Sequence, residues 1–166
     1  GENKVQEALD KWTELKQKKL DIKLHLIGKL QTNKVKFALR IFDYIHSVDS
    51  EKLAKKIADE ELKQNKKVKI FIQVNIGDEE QKSGTNIKKF NNLYLYCKKL
   101  NLNIIGLMCI PPINENSIKY FEEMNLLNKD FNLPELSMGM SSDYLNATVN
   151  SATYLRIGSS IFGERN

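Results

Sequence analysis

Residues 68–76, Val-Lys-Ile-Phe-Ile-Gln-Val-Asn-Ile, decide how this chain is read. Six of its nine residues are apolar, including the unbroken Ile70-Phe71-Ile72, as in a strand covered on both faces, whereas a half-solvated strand would alternate throughout. Upstream, Leu53, Ile57 and Leu62 follow helical spacing behind Asp49 or Ser50. Downstream, Asn86 opens a second helix carrying Ile87, Phe90, Tyr94 and Cys97. The same alternation extends in both directions. Toward the N-terminus it predicts a strand over 44–48 (YIHSV), a helix capped by Thr32, a strand over 22–28 (IKLHLIG) and an amphipathic helix over 2–19. Toward the C-terminus it predicts a strand over 103–110 and a helix carrying Ile118, Phe121, Met124 and Leu127. Then come a short strand over 136–140, a helix from Ser142 or Asp143 to about Asn150, and a last strand over 154–162.

Strands that alternate with helices must run parallel and lie under those helices. A doubly wound sheet and a (β/α)8 barrel both satisfy that order. The 166 residues fall short of the roughly 200–250 usual for a barrel, and the chain opens on a helix. The choice is between a six-stranded open sheet and a barrel lacking its beginning.

Composition supports one soluble domain over residues 1–166, with 41% apolar and 28% charged side chains. No apolar run approaches the ~20 residues of a membrane-spanning helix. The start, Gly1-Glu2-Asn3-Lys4, has neither the apolar core of a secretory signal nor an initiator Met, and reads as a cut. Cys97 and Cys109 are too few for a disulfide framework or a four-thiolate zinc site, which points to the cytoplasm. The net charge of +5 comes mainly from lysines dispersed along the chain. A nucleic-acid surface would cluster them on one face. The expectation is a monomer that binds neither nucleic acid nor membrane.

In parallel α/β proteins, functional groups collect at the carboxyl ends of the strands. Those ends hold His25, Gly28, Asp49, Asn75, Met108, the run Ser137-Met-Gly139-Met-Ser141, and Arg156-Ile-Gly158-Ser159-Ser160. There is no carboxylate pair and no metal-ligand spacing among them. Backbone N–H groups, hydroxyls and small residues dominate, and these suit a phosphate. Arg156 interrupts an apolar strand, where a guanidinium needs partners or a ligand. His25 and His46 each fit a hydrogen-bonded core histidine, and His46 is read as structural.

Several blocks carry a family resemblance. They are Gly1-Glu-Asn-Lys-Val-Gln-Glu7, His25-Leu-Ile-Gly-Lys-Leu-Gln-Thr-Asn-Lys34, His46-Ser-Val-Asp49 and Gln73-Val-Asn75 with Glu79, Lys82 and Gly84. Gly106-Leu-Met108, Leu136-Ser-Met-Gly-Met-Ser141, Arg156-Ile-Gly-Ser159 and Phe162-Gly-Glu-Arg165 complete the set. Together they resemble the YggS/PROSC family of pyridoxal phosphate-binding proteins, whose fold is similar to the N-terminal barrel of alanine racemase. The resemblance implies an α/β fold, a (β/α)8 TIM-type barrel that is incomplete here, with pyridoxal 5′-phosphate at its mouth and a role in vitamin B6 homeostasis. By the same resemblance, Ser137, Gly139, Gly158 and Ser159 hold the phosphate and Arg156 faces the pyridine nitrogen. Asn3, His25, Asn75 and Met108 line the ring. The family's Schiff-base lysine lies upstream of the G-E-N block, so the first strand and its preceding helix are expected before Gly1. The family role is non-catalytic, and the alternative is a racemase-like enzyme dependent on the same cofactor.

Overall fold

The computed structural model describes residues 1–18 and 21–163. Helix α1 spans Val5–Gln17, and the Lys19 end of the expected helix lies outside the described residues, as do Glu164 and Arg165 of the last family block. Strand β1 is His25–Leu26, followed by a 3-10 turn at Thr32–Lys34 that runs into α2, Val35–Ile41. The order continues β2 Tyr44–Val48, α3 Glu51–Gln64, β3 Lys69–Val74, α4 Ile87–Lys99 and β4 Asn103–Cys109. It closes with α5 Ser117–Asp130, β5 Glu135–Met140, α6 Tyr144–Val149, β6 Tyr154–Arg156 and α7 Ser159–Phe162. The Asn86 side chain accepts from the Lys88 N–H and starts α4, and Asn116 does the same for α5 through Ile118.

All strand pairs are parallel and follow chain order, β1-β2-β3-β4-β5-β6. This order excludes a doubly wound sheet, which reverses direction at a switch point and puts helices on both faces. Right-handed crossovers that always step one strand onward put every helix on one face. That leaves a barrel wall. The wall is curled: the His25 ring on β1 and the Tyr154 ring on β6 are 5.5 Å apart. In a flat sheet those strands would be separated by five spacings, about 24 Å. On the outer edge of β1, Glu2 adds one further parallel bridge, its N–H donating to His25 O at 2.8 Å and its carbonyl accepting from Ile27 at 2.9 Å.

Two layers of side chains result. Between sheet and helices, Leu26, Ile45, Ile70, Ile72, Leu107 and Leu136 pack with Leu53, Ile57, Phe90, Phe121 and Met124 in one buried cluster. Each such large side chain contributes roughly 1.5–3 kcal/mol by leaving water. Phe71 and Met108 are fully buried yet lie outside that cluster. Phe71 faces the inside of the curl, its ring stacked on His46 at 4.2 Å. Gly106 on the neighbouring strand permits this: a Cβ there would lie 2.0 Å from Glu135 O and 2.9 Å from the Phe71 ring.

The last strand differs from the sequence expectation. Residues 154–162 read as one strand, but pairing stops at Arg156. Past it the chain turns at Gly158 into α7, and Ile161 and Phe162 stay exposed. β1 is likewise shorter than the 22–28 run, because only His25 and Leu26 find ladder partners on β2.

Candidate functional site

The carboxyl ends of β5 and β6 bring together the two small-residue runs. Met140 N donates to Asp143 Oδ1 at 2.7 Å, and Asp143 N donates to Met140 O at 3.0 Å, closing a tight turn. Gly139 leads into it with φ +89°, where a Cβ would also meet the Ala147 methyl at 2.6 Å. The turn presents the Ser141 hydroxyl to β6, and two backbone N–H groups converge on it: Gly158 at 3.1 Å and Ser160 at 3.3 Å. Space beside Gly158 is open, with no heavy atom within 4 Å of an ideal Cβ. Ser159, the first residue of α7, is exposed next to it. Convergent N–H donors around a half-buried hydroxyl, at the edge of open space, form an arrangement that can accept an anion.

Beneath this rim runs a chain of polar side chains inside the curl. Arg156 Nη1 donates to Ser137 Oγ at 2.8 Å, and Nη2 donates to the Cys109 carbonyl at 2.7 Å. Ser137 is fully buried, and its Oγ lies 2.9 Å from His46 Nδ1. His46 Nε2 in turn lies 2.9 Å from His25 Nδ1. Four strands, β6, β5, β2 and β1, thus meet across the interior. Aromatic rings pack around the chain: Tyr44 stacks on His25 at 3.9 Å, and Tyr154 touches both imidazoles at 5.5 and 5.9 Å. Burial pushes the His46 imidazole down to about 3, helped by the neighbouring His25 and Arg156 charges. Burial likewise lowers His25 to about 4. Both rings are neutral at pH 7.

The other expected residues lie around this centre. Met108 is buried next to Ser137 in the sheet register. Asn3 is exposed, with its backbone against Gly28. The Asn75 amide closes the loop after β3, donating to Glu79 O at 2.8 Å and accepting from Glu79 N at 3.3 Å. The hydroxyl beside the Gly158 and Ser160 N–H groups is that of Ser141, while the Ser137 hydroxyl is taken up by Arg156 and His46. Ser141 stands in the strand-end run 137–141, but sequence alone leaves His46 as structural and does not single out Tyr154. The interior positions Tyr44-x-His46 and Tyr154-x-Arg156, polar on one side of otherwise apolar strands, are the signal that marks them. Among the described residues, no group of three or more His, Cys, Asp or Glu side chains is placed to hold a metal ion. Nor is any described helix long and apolar enough to cross a membrane.

A curled wall of parallel strands with a polar mouth defines an alanine racemase N-terminal type of barrel, and the family model described as "Alanine racemase, N-terminal domain" matches residues 1–166. Within that class the chain belongs to the pyridoxal phosphate homeostasis proteins. It is 42% identical over 175 residues to the protein of that name from Aquifex aeolicus, covering 99% of this chain and 76% of the relative. Its identity to the Pseudomonas aeruginosa protein is 37%, over 99% of this chain and 74% of the relative. For the Escherichia coli K12 protein it is 32%, over 99% and 75%. Among solved structures, PipY of Synechococcus elongatus with pyridoxal phosphate bound superimposes with a TM-score of 0.89 at 34% identity, over 98% of this chain and 80% of PipY. Alanine racemase of Clostridium difficile gives 0.73 at 13% identity, over 94% and 43%, a likeness of fold alone.

Proposed function

We propose that this protein binds pyridoxal 5′-phosphate at the carboxyl-end mouth of its barrel wall and serves vitamin B6 homeostasis without catalysing a reaction of its own. The relatives' shared name and the cofactor in PipY support this reading. The observation that carries it in this chain is the convergence of the Gly158 and Ser160 N–H groups on one oxygen, above a guanidinium anchored at both ends.

The donor set fits the cofactor. A phosphate monoester needs several N–H and O–H donors with close backbone approach. Gly158, Ser159 and Ser160, with the Ser141 hydroxyl, offer that set beside open space. Gly139 shapes the turn that presents Ser141. Arg156 would face the pyridine nitrogen, with Ser137 beneath it, and Met108 and His25 would border the ring. Asn3 and Asn75 stand further out, on the flanking edge and loop. The bound group supplies an electrophilic aldehyde and a ring that can accept electrons. Arg156 only donates hydrogen bonds and keeps its proton, so the nitrogen it faces would stay unprotonated and the ring a weak electron sink. That favours holding the cofactor over transforming an amino acid with it. The racemase-like alternative has only a likeness of fold behind it. The protein is taken to act in the cytoplasm as a monomer, without nucleic acid.

The test is a titration of the protein with pyridoxal 5′-phosphate, with pyridoxal and with inorganic phosphate, read by absorbance. Charge-assisted hydrogen bonds to the ester predict at least roughly 100-fold preference for the phosphorylated form over pyridoxal. Equal affinities for the two would overturn the reading.

A further inference from the structure

The interior chain has a direction, and donor chemistry fixes it. A guanidinium has no acceptor, so Arg156 Nη1 must donate to Ser137 Oγ. The Ser137 hydroxyl still has its own hydrogen to place in a fully buried position, and His46 Nδ1 at 2.9 Å is its available acceptor. If His46 donated instead, that buried hydroxyl hydrogen would go unpaired, which costs as much as a lost hydrogen bond. His46 therefore accepts at Nδ1 and, being neutral, carries its hydrogen on Nε2. That hydrogen points along the 2.9 Å contact to His25 Nδ1, leaving His25 with Nε2–H as its own donor.

We propose that Ser137 and His46 are positioning residues that, through a one-way hydrogen-bond chain Arg156→Ser137→His46→His25, hold the Arg156 guanidinium in place and lock both imidazoles in the Nε2–H tautomer. The chain ties β6 to β5, β2 and β1, so the orientation of Arg156 is set by strands on both sides of the curl. Cys109 O anchors the other arm of the fork, and two contacts on separate strands leave the guanidinium little freedom to rotate. Stacking of Phe71 on His46 and of Tyr44 on His25 keeps the two rings in the planes these bonds require. Neither imidazole gains a charge near neutral pH, so the order of hydrogens is constant across the physiological range. The use of Arg156 against a pyridine nitrogen rests on the proposed function; the direction of the chain does not.

The experiment is long-range 15N–1H correlation spectroscopy of the histidine rings at pH 7, without pyridoxal 5′-phosphate, in the wild-type protein, Ser137→Ala and Ser137→Thr. The wild-type spectrum should show both rings as single neutral Nε2–H tautomers. Ser137→Ala removes the donor to His46, so mixed tautomers should appear at His46 and also at His25, two links away. Ser137→Thr keeps the hydroxyl and should restore the single pattern. A wild-type His46 carrying its hydrogen on Nδ1 overturns the proposal even if the alanine variant fails to fold, and so does an unchanged His25 pattern in folded Ser137→Ala. A pyridoxal 5′-phosphate titration of the same samples separates the two claims. With the tautomers as stated, Ser137→Ala should weaken binding roughly tenfold. Unaltered binding there would remove Ser137 from the positioning of Arg156. A wild-type protein with the stated tautomers but no affinity for the cofactor would sink the proposed function and leave the chain's direction standing.

Discussion

His25 and Tyr154 belong to the first and last strands of a six-stranded sheet, yet their rings are 5.5 Å apart. Their contact turns a parallel sheet into a barrel wall, and it places the polar interior directly under the mouth. Tyr154 also reaches Tyr44 at 5.9 Å, His46 at 5.9 Å and Phe71 at 5.4 Å, so one side chain spans the curl. Tyr154→Ala should cost about 2–4 kcal/mol of unfolding free energy, measured by urea denaturation. Tyr154→Phe keeps the ring and should cost about 1 kcal/mol or less.

Two glycines should respond in opposite ways. Gly106→Ala forces a methyl to within 2.0 Å of the Glu135 carbonyl, so strands β4 and β5 would have to part. A loss above about 2 kcal/mol, or failure to accumulate folded protein, is expected. Gly158→Ala meets open space and should change stability by less than about 1 kcal/mol. Because the new methyl would enter the open space proposed for the phosphate ester, this variant should lose affinity for pyridoxal 5′-phosphate while its urea midpoint stays near wild type.

Ser141→Ala separates phosphate recognition from ring recognition. Its hydroxyl is the oxygen on which the Gly158 and Ser160 N–H groups converge. Loss of one hydroxyl donor should weaken binding of pyridoxal 5′-phosphate roughly tenfold and leave pyridoxal unaffected, as read by parallel titrations.

Acid should weaken the fold through its buried imidazoles. Burial above all lowers His46 to about 3 and His25 to about 4, against an ordinary value of 6.5. Below pH 6.5 the unfolded chain takes up protons that the folded one refuses, so stability rises with pH across this window. It is complete above about 6.5 and falls as pH drops toward 4 and then 3. The His46 contribution is on the order of a few kcal/mol. Urea midpoints measured from pH 7 to pH 4 should therefore decline, and His46→Gln should flatten that decline relative to wild type.

The sequence made the elements legible and left their closure hidden. Near-continuous apolar strands separated by helices were enough to predict six parallel strands, and Tyr44–Val48 falls where it was expected. A choice between open sheet and barrel turns on strand order and curl, which arise from contacts such as His25 with Tyr154 that no local period encodes. The same holds at the site. Ser137, Arg156, Gly158 and Ser159 stand out as polar or small residues at strand ends, but His46 reads as a core histidine because its partner Ser137 lies 91 residues away. The last strand reads too long from sequence, because the turn at Gly158 depends on N–H groups that face Ser141 on the neighbouring strand's loop, a contact no local pattern encodes.

A crystal structure of the protein soaked with pyridoxal 5′-phosphate bears most directly on the whole account. The phosphate should accept a hydrogen bond from the Ser141 hydroxyl beside the 158–160 backbone, and the ring nitrogen should lie within hydrogen-bond distance of an Arg156 guanidinium still held by Ser137. Cofactor bound away from the β5–β6 rim, or Arg156 swung off Ser137 and out of reach of the ring, would contradict it.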